Sequence, residues 1–82
     1  VLNINVRING ELARDLGTAR LQVAVAEPAT LADLLEQLRQ QYPRSRPKLE
    51  SAIPFSVGQH LPPTASLADG QEVALLMPVA GG

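Results

Sequence analysis

The sequence predicts an α+β fold: a mixed sheet of about four to five strands with one main helix packed across it. Three stretches carry that expectation. LNINVRI near the start alternates apolar and polar residues, TLADLLEQLRQQYP repeats leucines at helical spacing, and EVALLMP near the end is apolar on both faces. With 82 residues, the chain is one domain, because so short a chain cannot divide its core. It has no cysteine to staple it, and only Tyr42 and Phe55 are aromatic, so 45% hydrophobic content must make an aliphatic core unaided.

In the first strand, Leu2, Ile4, Val6 and Ile8 share one face and Asn3, Asn5 and Arg7 the other. Asn9-Gly10 signals a turn, and ELARDLG reads as a short helical turn closed by Gly17. RLQVAVA is the second strand, with Leu21, Val23 and Val25 on one face and Pro28 halting it. Thr30 is a good helix N-cap, and Asp33 in the first turn favours the positive end of the helix dipole. Leu31, Leu34, Leu35, Leu38 and Tyr42 then follow at helical spacing until Pro43 stops the helix, giving about three turns.

From Pro43 to Ala52 the chain reads as polar and irregular. PFSVGQH is expected to be a short strand with Phe55 and Val57 inward and a turn at Gly58, and Asp69-Gly70 marks the last turn. In the final strand Val73, Leu75 and Met77 occupy one face and Ala74 and Leu76 the other. Such a strand is central and covered on both sides, or has its second side covered by a partner. If the first and last strands lie side by side and parallel, this order makes a ubiquitin-like β-grasp. The expected division is a domain over 1–77 and a flexible tail over 78–82.

Composition excludes several function classes. A net charge of −1 gives no electrostatic reason to bind nucleic acid or an anionic membrane, and aromatic stacking platforms are absent. The longest apolar run, Val73 to Ala80, is far below the roughly 20 residues of a membrane span, and no secretory signal opens the chain, so a cytoplasmic location is expected. Nucleophilic catalysis lacks its parts: there is no cysteine, and the single histidine, His60, in a Pro-rich turn region, is expected to be a solvated loop residue. Serines 45, 51, 56 and 66 read as loop and strand-surface residues, and the eight carboxylates are scattered. No residue cluster calls for a metal. Arg39, Arg44, Arg46 and Lys48 concentrate positive charge after the helix, where the dipole favours cations; the sharper reading is a docking patch for an acidic partner.

The remaining feature is the tail, PVAGG. At average usage two glycines would close a chain only about once in 200 cases. Lacking Cβ, Gly81 and Gly82 can thread a channel that side chains would block. Pro78 to Gly82 spans roughly 16 Å when extended, enough to enter a neighbouring active site. Pro78 has no N–H for a sheet ladder and so frees the chain from the last strand.

NVRING, LARDLG, TLADLLEQLRQQYP and above all LADGQEVALLMPVAGG resemble, essentially end to end, the ubiquitin-like sulfur carriers and among them the small subunits of molybdopterin synthase. The resemblance implies a protein that is not itself an enzyme and binds no cofactor stably. It implies that an adenylyltransferase resembling ubiquitin activators uses ATP to adenylate the Gly82 carboxylate, which then becomes a thiocarboxylate. The tail would enter the large synthase subunit and give its sulfur to a cyclic pterin precursor, in an assembly of two small and two large subunits. Carried over, Gly82 bears the sulfur, Gly81 is its slim neighbour, and Ala80, Val79, Pro78 and Met77 contact the partners. The lack of cysteine agrees, since sulfur cannot then ride on a side chain.

Two departures stand out: Met77 replaces a proline frequent in the family, and SVGQHLPP lacks an asparagine common after the valine. Within the resemblance, the nearest rival is a carrier for thiamine thiazole formation, against which the stretch ELARDLGTAR counts; another is a modifier conjugated to lysines. A non-covalent ubiquitin-like binding module using an exposed sheet face would make the glycines incidental.

Overall fold

The computed structural model describes residues 1–78. Its strands are β1 (Leu2–Ile8), β2 (Arg20–Val25), β3 (Ile53–Ser56), β4 (Gln59–His60) and β5 (Glu72–Leu76), and its helices α1 (Gly10–Leu16), α2 (Leu31–Gln41) and α3 (Arg46–Ser51). The five strands form one sheet in the order β2-β1-β5-β3-β4. β1 and β5 are parallel neighbours at its centre, in register from Asn5↔Glu72 to Ile8↔Leu75, and the other pairings are antiparallel. This is the β-grasp topology expected from the sequence.

Strict alternation in β1 buries Leu2, Ile4, Val6 and Ile8 and leaves Asn3, Asn5 and Arg7 in water. Val23 and Val25 of β2 and Val73 and Leu75 of β5 add to the same inner face. Across it lies α2, whose Leu31, Leu34 and Leu38 are buried, each contributing about 1.5–3 kcal/mol relative to an exposed side chain. Its N-terminus is closed by a reciprocal pair: Asp33 N–H donates to Thr30 Oγ1 at 3.4 Å and Thr30 N–H to Asp33 Oδ2 at 2.9 Å. Leu31 and Ala32, whose N–H groups have no partner inside the helix, donate to the carbonyls of Ala65 and Pro63. The expected turn at ELARDLG is α1, closed by Gly17 in the left-handed conformation (φ 74°).

Three expectations are corrected. Residues 43–52 are not irregular: Pro43–Ser45 forms a 3-10 turn and α3 follows at once, anchored by buried Leu49. Phe55 and Val57 do not point inward. Phe55 pairs with Ala74 on the outer face of the sheet, and Val57 is 97% exposed in the β3–β4 turn with φ 52°, because the strand ends at Ser56. Ser56 takes the inner position; its hydroxyl donates to the Glu72 carbonyl at 2.8 Å and accepts from Gln71 Nε2 at 3.2 Å, which makes its burial tolerable. Ser45 is buried too, so neither serine is the surface residue expected.

Candidate functional site

β5 is central, yet only one of its faces is covered. Val73 and Leu75 are wholly buried, whereas Leu76 on the opposite face is 38% exposed and Ala74 is half-buried. The register places Ile53 beside Leu76 and Phe55 beside Ala74, so these four share the outer face, with Ile53 37% exposed and Val57 at its rim. Two shallow hollows of about 300 and 310 Å³ run over this face. They share Arg7, Ala74 and Leu76 and so form one trough along β5. Of the alternatives for a strand apolar on both sides, full cover of both faces within the domain does not hold among the described residues. His60 lies not in a loop but on edge strand β4, exposed and edge-to-face with Phe55 at 5.7 Å; its exposure is as expected. Arg7 meets Glu72 at 3.5 Å on the polar half of the face.

At the C-terminal end of β5 the chain passes through Met77, half-buried against the core, to exposed Pro78. Met77 N–H donates to Asn9 Oδ1 at 3.0 Å. A Cβ on Gly10 would stand 3.6 Å from Met77 Cβ, so the α1 entrance lies against the exit of β5. Asn9 went unremarked in the sequence beyond its turn signal; its juxtaposition with Met77 arises only when the two chain ends meet. Of the site residues expected from the sequence, Met77 and Pro78 are placed here, while Val79, Ala80, Gly81 and Gly82 lie outside the described residues.

The basic cluster is largely neutralised by its own neighbours. Arg39 pairs with Glu36 at 3.0 Å, Arg46 with Glu50 at 3.7 Å, and Lys48 with Asp15 and, at 3.9 Å, Glu11. Hydrogen bonds from Arg39 and then Gln40 hold the Glu36 carboxyl below its ordinary pKa. The cluster therefore ties α1 and α3 together and settles the end of α2 more than it presents free charge. Among the described residues no group of His, Cys, Asp or Glu could hold a metal ion, and no helix is long and apolar enough to cross a membrane.

A model of the ThiS family matches residues 6–82. The chain belongs to the ThiS family. Among its relatives, the molybdopterin synthase sulfur carrier subunit of Mycobacterium tuberculosis (strain ATCC 25618 / H37Rv) is 38% identical over 66 residues, covering 79% of this chain and 78% of that one. The crystal structure of SAMP1 from Haloferax volcanii superposes with a TM-score of 0.86 at 24% identity, covering 98% of this chain and 99% of the other. A chain in the complex of subunits 1 and 2 of molybdopterin-converting factor from Helicobacter pylori 26695 matches with a TM-score of 0.70 at 20% identity, covering 99% and 100%. The two structural likenesses extend the shared fold of this ThiS family chain; the 38% identity is closer kinship.

Proposed function

We propose that this ThiS family chain is the sulfur carrier of a molybdopterin synthase, acting in the cytoplasm, with the sulfur borne on Gly82. The observation that carries this reading is the 38% identity to a molybdopterin synthase sulfur carrier subunit across most of both chains. The chemistry follows from a carboxylate being a poor electrophile. A Gly82 carboxylate oxygen attacks the α-phosphorus of ATP and pyrophosphate leaves; a sulfide-level sulfur from the donor then attacks the acyl carbon, the acyl–oxygen bond breaks, and AMP departs. The activating adenylyltransferase supplies that step, and the thiocarboxylate is delivered to a cyclic pterin precursor held by the large subunit. Gly81 keeps the approach narrow, and Val79 and Ala80 with Met77 and Pro78 make the tail's contacts.

The outer face supports this reading. Ile53, Phe55, Val57, Ala74 and Leu76 form an apolar surface next to the tail's exit, suited to a large subunit that grips the domain while the tail reaches inward. Two small and two large subunits are the proposed assembly. The deciding experiment is intact mass after incubation with the matching activating enzyme, ATP and a sulfur donor, for the full chain and for one lacking Gly82. Gain of the mass difference between sulfur and oxygen by the full chain alone is expected. No gain with an enzyme of demonstrated activity overturns the reading. Addition of the large subunit and pterin precursor then separates this acceptor from thiazole assembly.

A further inference from the structure

The parallel ladder between β1 and β5 runs through odd-numbered residues, as in the bond from Asn5 N–H to the Gln71 carbonyl at 2.9 Å. By the parity of that ladder, the rung after Leu75 belongs to Met77 N–H and should meet the carbonyl of Asn9. It does not, because β1 ends at Ile8 and α1 begins at Gly10, so the Asn9 carbonyl accepts from Ala13 N–H at 3.3 Å instead. The Asn9 side chain takes over the missing rung, its Oδ1 accepting Met77 N–H at 3.0 Å.

Asn9 occupies the N-cap of α1, where an asparagine ordinarily turns its side chain onto its own helix. Here it makes no side-chain cap at all. The oxygen is committed to the other end of the chain. After Met77 comes Pro78, which has no N–H, so the Asn9 bond is the last place where this edge of β5 can be held by a backbone donor before the tail.

We propose that Asn9 is a positioning residue for the tail, extending the sheet by one rung so that the chain leaves β5 in a fixed direction toward the partner's active site. This rests on the sulfur-carrier reading. A fixed exit raises the share of molecules whose tail is aimed for entry, and losing it raises the apparent KM for the carrier without altering chemistry once the tail is seated.

The test compares Asn9→Ala with Asn9→Asp, which keeps an acceptor oxygen at the same position. Amide hydrogen exchange at Met77 and Leu75 is followed by NMR, and adenylation by the activating enzyme is resolved into kcat and KM. Asn9→Ala is expected to speed exchange at Met77 by about 3- to 10-fold while Leu75 is unchanged, and to raise KM by a similar factor at constant kcat. Asn9→Asp is expected to restore both. Unchanged Met77 exchange in Asn9→Ala overturns the anchoring, and unchanged KM alongside faster exchange overturns the positioning role. If Asn9→Ala fails to fold, wild-type exchange and KM in Asn9→Asp support the acceptor role, and their loss overturns it. Failure of the wild-type chain to be adenylated at all strikes the sulfur-carrier reading, and with it the positioning role, while Met77 exchange still reports the anchor separately.

Discussion

Val57 carries two unfavourable assignments at once: a β-branched residue at φ 52° and an apolar side chain 97% exposed. Its Cβ is crowded by its own backbone in that region, where asparagine is tolerated far better. An asparagine at position 57, followed by Gly58 at φ 73°, is the pair that such a two-residue turn favours. Val57→Asn is expected to stabilise the domain by about 1 kcal/mol in urea denaturation. The same substitution removes an apolar group from the rim of the outer face, so affinity for the large subunit should fall. Stability and binding moving in opposite directions would identify the valine as kept for contact; a loss of both would refute the strain argument. Buried Ser56 shows no comparable tension, since its bonds to Glu72 and Gln71 satisfy it.

At the scale of the element, β5 separates folding from recognition by alternate residues. Leu75→Ala should cost about 2–5 kcal/mol in chemical denaturation, since it opens a cavity in a fully buried position. Leu76→Ala should stay within about 0.5 kcal/mol but weaken the large subunit's binding by titration calorimetry. Equal stability losses would mean that both faces serve the core. This two-faced character was legible in EVALLMP, as were β1 and α2, because each repeats its period often enough to stand above local preference. α3 was not. RPKLES offers a single apolar residue, Leu49, too little for a helical period; its helix follows directly on a 3-10 turn, and its Lys48 reaches Asp15 and Glu11 of α1, a contact no local pattern announces. Phe55 misled for the opposite reason: Phe55 and Val57 alternate as a strand should, but the strand stops between them and its inner seat goes to a serine. Asn9 illustrates a third limit, since its partner Met77 lies 68 positions away.

At the scale of the whole molecule, local signals sufficed for the order of elements, and the pairing of the two ends made the β-grasp. The turn before β5 is fastened to β1 by Gly70 N–H to the Asn3 carbonyl at 2.8 Å and Asn3 N–H to Asp69 Oδ1 at 2.7 Å, so the final strand enters at a defined height. Charge plays a smaller part: after α2, Arg46 and Lys48 pair with neighbouring carboxylates. The parallel pairing of β1 with β5 also has a mechanical meaning. Chain entry into β1 and chain exit from β5 lie at opposite ends of one ladder, so tension between the termini shears all its rungs together instead of unzipping them in turn. Pulled in this direction by force spectroscopy, the domain should rupture at higher load than when pulled between Arg20 and His60 on the two edge strands. Under the proposed function, a pull on the C-terminus by a partner would load β5 along its length, the direction in which the ladder resists best.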